Sequence, residues 1–178
     1  MKKLVIVTHP EIGASNVNKR WLSKIRSLGS GISVHELHRR YRVGDTIDVE
    51  FEQNLLLEHD TVIFQFPFYW FSMPPLLKRW LDEILLPGFA YGSTPDERKL
   101  TEKKFGAAIS AGILEQDYCR DGRYRYTVEE LLAPLAATVS YIGGEYLQPF
   151  MFYGAEYSPS SADLERSADD YARYLLAI

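Results

Sequence analysis

The chain of 178 residues has a single cysteine, Cys119, and no long hydrophobic run. A lone thiol excludes an intramolecular disulfide and any cysteine-rich metal centre. The four histidines, His9, His35, His38 and His59, lack the spacing of a zinc site, and H-E-x-x-H does not occur. The G-x-S-x-G turn of an α/β-hydrolase is missing, as are the Walker loop and the G-x-G-x-x-G fingerprint. Cys119 has no identifiable base to make it a nucleophile. Residues 1–7 carry two lysines and only four strongly apolar residues before Thr8 and His9, too short a run for a signal sequence or a membrane span. The expected location is the cytoplasm. A strong charge of one sign is lacking too: 20 basic and 24 acidic side chains leave a net charge of -4. That gives no broad basic field for nucleic acid or anionic lipid, though a local cationic pocket stays compatible.

What is present is a core. Apolar residues make up 46% and charged residues 25% of the chain, enough for one domain over residues 1–178. A chain of this length buries roughly 70% of its unfolded surface and needs no metal or disulfide for stability. Short apolar runs at residues 4–7, 32–37, 61–66, 105–109 and about 146–152 read as strands. Helices are expected over about 16–28, within 49–59, over 74–86, 127–140 and 160–176, with Gly29-Ser30-Gly31, Pro87-Gly88 and Gly143-Gly144 as stops. Residues 38–48 are polar and read as a surface excursion. The alternation implies an α/β fold with parallel strands and right-handed crossovers, whose sites form outside the carboxyl ends of the strands. Three segments follow: residues 9–18, 67–72 and 110–124.

In the first segment, free backbone N–H groups at a helix start favour a phosphate, with His9, Ser15 and Asn18 as added donors. The plainer reading makes Ser15 or Asn16 only a helix cap. The second segment holds Phe68-Tyr69-Trp70-Phe71, four aromatics that cannot all face one core from a regular element. They either pack beneath a loop or form a platform for a planar ring. In the third, Gly112 permits close backbone approach, and Tyr118 and Tyr124 could present phenols to a developing charge. Either tyrosine alone is more often an ordinary surface or core residue. Asp82 and Glu83 read as the polar side of their helix, and Arg120, Asp121, Arg123 and Arg125 as a solvated loop face where an arginine could meet a pyridine-nucleotide phosphate.

These loops resemble those of the NAD(P)H:quinone oxidoreductase family in its short bacterial branch. The matching residues are His9-Pro10 with Ser15 and Asn18, then the block from Gln65-Phe66-Pro67 to Met73-Pro74. Leu77-Lys78-Arg79-Trp80-Leu81-Asp82, Pro87-Gly88-Phe89-Ala90-Tyr91-Gly92 and Leu147, Pro149 and Phe150 continue the likeness over nearly the whole chain. The resemblance implies a flavodoxin-like three-layer sandwich with a five-stranded parallel sheet in the order 2-1-3-4-5. It also implies FMN or FAD as cofactor, FMN first, with NADH or NADPH as donor, and a homodimer reducing a quinone or related electrophile by two electrons. His9, Ser15, Val17 and Asn18 would hold the phosphate and ribityl part. Pro67, Phe68, Tyr69, Trp70 and Phe71 would surround the isoalloxazine, with Ser110, Ala111, Gly112 and Ile113 on its other border. Tyr118 matches the family's tyrosine near the reactive part of the ring, and Tyr124 falls near a position often occupied by histidine in mammalian members. The family's Thr-Thr-Gly-Gly is here Ser110-Ala111-Gly112-Ile113, which puts a branched side chain where backbone would approach the ring. Residues 37–57, through Ile47-Asp48 and Glu52-Gln53, also resemble the ancillary oxidoreductases of glutathione-gated potassium efflux systems. That likeness implies an alternative: a regulatory flavoprotein docking on such a transporter at the inner face of the membrane. An electron-transfer flavodoxin is a second alternative.

Overall fold

The computed structural model describes residues 1–29 and 31–178. Its strands are β1 (Lys3–Val7), β2 (Ile32–Glu36), β3 (Thr61–Pro67), β4 (Lys104–Ser110), β5 (Glu145–Tyr146) and β6 (Phe150–Phe152). The helices are α1 (Val17–Ser27), α2 (Leu37–Arg40), α3 (Val49–Leu57), α4 (Pro75–Ile84), α5 (Val128–Leu131), α6 (Ala133–Tyr141) and α7 (Ser161–Ala177). The sheet is parallel throughout, in the order β2-β1-β3-β4-β5, with β6 also pairing β4.

The central strands are apolar on both sides because both faces are covered, and the pleat sorts their residues. Val5, Val7, Ile63 and Ala108 point to one face, where Trp21, Leu22 and Ile25 of α1 and Leu164, Ala168, Tyr171 and Leu175 of α7 close over them. Leu4, Ile6, Val62, Phe64 and Phe66 point the other way, against Leu77, Trp80, Leu81 and Ile84 of α4 and Leu135 and Val139 of α6. The i, i+3, i+4, i+7 spacing in α4 makes this a single inward stripe. Its outer face carries the i,i+4 pairs Lys78–Asp82 and Arg79–Glu83, as expected of the polar side.

Three expectations need correction. The single last strand over about 146–152 is two short strands, β5 and β6. Leu147 N–H still bonds the Phe105 carbonyl at 2.7 Å, but Pro149 has no N–H to donate. The helix expected from Thr127 to Ser140 is likewise two, because Pro134 falls in the first turn of α6 and cannot complete a continuous ladder. The polar stretch 38–48 is not merely a surface excursion: Tyr41 and Ile47 sink into the core and anchor it. The expected stop at Gly29-Ser30-Gly31 includes Ser30, which lies outside the described residues. Gly29, at φ +80°, follows the Leu28 cap in the left-handed conformation that ends helices.

The order has one reversal. From β1 the chain crosses to β2 on one side and returns to β3 on the other, so neighbouring crossovers diverge above the carboxyl ends of β1 and β3. A crevice opens at such a point. Among the described residues, no helix is long and apolar enough to cross a membrane.

Candidate functional site

Backbone bonds stitch the three loops together at this edge. Thr8 N–H donates to the Gln65 carbonyl at 2.8 Å, and Phe68 N–H to the Ser110 carbonyl at 2.9 Å. Inside the same edge, Asn18 Nδ2 donates to Ser110 Oγ at 2.7 Å and Gln65 Nε2 to the Asn18 carbonyl at 3.1 Å, all three side chains being buried. Asn18 and Ser110 are therefore struts that fix the helix start against β4. Val17, Pro67 and Ala111 are buried as well and bring backbone, not side chains, to the crevice. Two buried oxygens at this edge, Thr8 Oγ1 and Gln65 Oε1, have no hydrogen-bond partner.

Ser15, not Asn16, caps α1: its Oγ accepts from Asn18 N–H at 3.0 Å. That bond occupies a lone pair and leaves the Ser15 hydroxyl hydrogen free for an anion. His9 Nδ1 accepts from Glu11 N–H at 3.2 Å, which assigns the proton of the neutral ring to Nε2. Burial, with His38 adding, lowers the His9 pKa against the opposing pull of Glu11. His9 is thus a neutral donor at neutral pH. With the Ser15 hydroxyl and the first-turn N–H groups of α1, it forms a donor set suited to a phosphate.

The aromatic block divides as geometry requires. Phe68 and Phe71 turn inward against the core, while Tyr69 and Trp70 face outward, Trp70 with 93% of its surface exposed. Tyr69 and Ser72 exchange backbone bonds at 2.9 and 3.1 Å around Trp70 and Phe71, whose φ angles are +50° and +63°. This is a tight primed turn built from residues that disfavour it. Phe68 and Tyr69 spend their N–H groups within the chain. Among the described residues of the Phe68–Phe71 stretch, the N–H groups of Trp70 and Phe71 have no acceptor and stay open to a ligand.

These residues wall a cleft of about 770 Å³. Phe68, Tyr69, Trp70, Phe71, Gly112, Ile113, Tyr118 and Tyr124 line it, joined by Met73, Pro75 and Glu156. The rings of Phe71 and Tyr124 lie 4.8 Å apart, and those of Tyr118 and Tyr124 5.9 Å. Burial pushes the Tyr118 phenol up to about 12, with Tyr124, Glu156 and Asp117 adding to it. Tyr118 is therefore a proton-bearing donor rather than a base.

Sequence reasoning missed Glu156 and the segment that carries it. After β6, Gly154, Ala155 and Glu156 donate their N–H groups to the carbonyls of Ile113, Ala111 and Gly112 at 2.8, 2.9 and 3.1 Å. The signal was there: the rule that sites lie beyond strand ends applies to the last strand too, and Gly154 marks its turn at φ +75°.

A profile of the flavodoxin-like fold family matches residues 1–175. The chain belongs to that family. Among curated relatives, it is 44% identical over 99% of both chains to the uncharacterized NAD(P)H oxidoreductase YrkL of Bacillus subtilis (strain 168). To the glutathione-regulated potassium-efflux system ancillary protein KefG of Pectobacterium carotovorum it is 37% identical, over 86% of this chain and 82% of KefG. Among solved structures, general stress protein 14 of Treponema denticola in complex with FMN superposes with a TM-score of 0.92 at 41% identity, over 99% of each chain. An NADPH-quinone reductase from P. pentosaceus gives 0.86 at 29% identity, over 98% of this chain and 97% of that one. The flavodoxin-like layering and strand order expected from the loops are thus those of the family.

Proposed function

We propose that this flavodoxin-like chain is an FMN-dependent NAD(P)H oxidoreductase that passes two electrons to a quinone or related electrophile. The observation that carries the reading is the joining, at one sheet edge, of an aromatic cleft with a phosphate-suited helix start. The relatives named as NAD(P)H oxidoreductase and NADPH-quinone reductase, and the one solved with FMN, support it.

The site fits the cofactor on its own terms. A volume of about 770 Å³ lies within the range of small-ligand sites, and the unpartnered Thr8 and Gln65 oxygens stand at the same edge. His9, Ser15 and the backbone N–H of Val17 would hold the phosphate end, with Asn18 bracing them through its bonds to Ser15 and Ser110. Phe68, Tyr69, Trp70 and Phe71, carried on the Pro67 strand end, would flank the ring, with Gly112 and Ile113 on the opposite border and Ser110 and Ala111 supporting them. When bound, the flavin supplies hydride acceptance from a nicotinamide and two-electron delivery to an acceptor. The chain's own part is orientation, exclusion of water by the aromatic walls, and N–H donors from Trp70 and Phe71 toward negative charge on the ring. Tyr118 keeps its proton and donates a hydrogen bond to the reacting partner. Tyr124 packs on Phe71 and confines the acceptor.

The proposal extends to one domain over residues 1–178, to a cytoplasmic protein, and to a homodimer in which a second copy closes the open side of the cleft. A role docked on a potassium-efflux transporter has less behind it, because KefG is less similar to this chain than YrkL.

The test is purification without added flavin, an absorption spectrum, and anaerobic titration with NADH and NADPH. Bound flavin bleached by either nucleotide is the expected result; a colourless protein that takes up no FMN would overturn the reading. In the same assay, Trp70→Ala should lose flavin more readily than Cys119→Ala, whose exposed thiol lies outside the cleft lining.

A further inference from the structure

Glu156 enters the cleft by a route separate from the three loops, with its backbone bonded at Gly112 and its side chain lying over the same residue. Its backbone N–H donates to the Gly112 carbonyl at 3.1 Å. Its side chain then crosses the α-carbon of Gly112, so closely that a β-carbon built there would come within 2.6 Å of the Glu156 carboxyl carbon. Among the described residues that line the cleft, Glu156 is the only one with a formal charge. The rest are aromatic rings, Met73, Pro75, Gly112 and Ile113. Its negative charge also helps hold the proton on the Tyr118 phenol. On the rim the sign reverses: the Arg123 guanidinium lies 5.6 Å from the centroid of the Tyr124 ring.

We infer that Glu156 is a specificity residue, whose carboxylate over Gly112 turns away electron acceptors bearing an anionic group on the ring and admits neutral or cationic ones. The inference rests on the oxidoreductase reading and narrows its substrate class. Glu156 is solvent-exposed, so its repulsion of a like charge held in the cleft is the modest one expected near an open surface and is weakened by salt. The cationic rim at Arg123 would attract the phosphates of a dinucleotide, so a negative tail outside is tolerated where a negative ring inside is not. Gly112 is part of the device, since a side chain there would displace the carboxylate from its seat.

The experiment compares wild type, Glu156→Gln and Glu156→Asp as flavin-loaded proteins with two acceptors, a naphthoquinone and its sulfonated analogue. Glutamine keeps the shape and removes the charge. The ratio of kcat/KM for the sulfonate to that for the neutral quinone should rise about three- to fivefold in Glu156→Gln. It should stay near the wild-type ratio in Glu156→Asp, and the gap should narrow at high salt. A second readout needs no turnover: equilibrium quenching of tryptophan fluorescence by each quinone, for which exposed Trp70 is the accessible reporter while Trp21 and Trp80 are buried. There the Kd of the sulfonate should fall relative to that of the neutral ring in Glu156→Gln. An unchanged ratio in both readouts would overturn the inference while leaving bound, reducible flavin intact. If the protein binds no flavin, the oxidoreductase reading fails, and quenching on the same protein still decides whether Glu156 discriminates by charge.

Discussion

Trp70 and Phe71 occupy left-handed backbone positions that asparagine or glycine fills at lower energy, a departure costing about 1–2 kcal/mol per residue. Phe71 recovers part of this by packing on Tyr124, but Trp70 projects into solvent. Strain at an exposed aromatic signals a residue held for what it meets rather than for what it packs against. Trp70→Asn should therefore stabilise the flavin-free protein by about 0.5–1 kcal/mol, measured as a higher urea midpoint at unchanged slope. The same variant should retain flavin less well. Parallel losses in both measurements would show Trp70 to be an ordinary packing residue. Tyr118 gives a prediction of different form. With its phenol at about 12, it stays protonated at neutral and mildly alkaline pH. Tyr118→Phe should lower kcat/KM about five- to tenfold, the worth of one neutral hydrogen bond. The shape of the pH profile should not change; loss of an alkaline limb in the variant would instead mark Tyr118 as a titrating group.

Between elements, a buried charge joins β2, the segment after α2, α3 and α4. Glu52 of α3 is fully buried and accepts from His35 Nε2 at 2.8 Å, the Tyr41 hydroxyl at 2.6 Å and Trp80 Nε1 at 2.9 Å. Burial alone would raise its pKa, but these bonds outweigh it and hold the carboxyl below its usual value. The folded state therefore favours the ionised form. The resulting stability is present above the unfolded pKa and is lost as pH falls through the folded one. Glu52→Gln should flatten the acid limb of the stability–pH curve below about pH 5, followed by urea denaturation. Glu52→Ala should cost about 3–5 kcal/mol by stranding the buried Tyr41 and Trp80 donors and the partly buried His35. An acid limb identical to wild type in Glu52→Gln would remove Glu52 as its source. This knot shows where sequence reading reaches its limit. The stripe of α4 and the apolar strands follow from periodicity, because burial is imposed by spacing along one chain. Nothing local to Glu52 reveals that residues 35, 41 and 80 converge on it; only the crossovers bring them there. The same holds for Glu156, which approaches Gly112 through pairing between strand ends. Conversely, Pro134 and Pro149 were legible breaks that the apolar periodicity around them masked.

For the whole molecule, the open side of the cleft is the feature that folding leaves unresolved. Trp70 and Tyr141 expose 93% and 69% of their surfaces. Met73 connects two hollows, since it lines both the aromatic cleft and a neighbouring groove bounded by Tyr91 and Tyr141. Exposed aromatics along two adjoining hollows make a strip that favours association, and a second copy meeting it about a two-fold axis gives a closed assembly. With a net charge of only -4, long-range repulsion between copies is weak. Sedimentation of the flavin-loaded protein should give twice the mass of one 178-residue chain. Tyr141→Asp, which places a carboxylate in the strip at a residue outside the cleft lining, should shift the protein toward monomer. If the second copy closes the cleft, the monomer should release flavin faster than the dimer at the same temperature. A variant that is monomeric yet holds flavin as tightly as wild type would mean that each chain builds its cleft unaided.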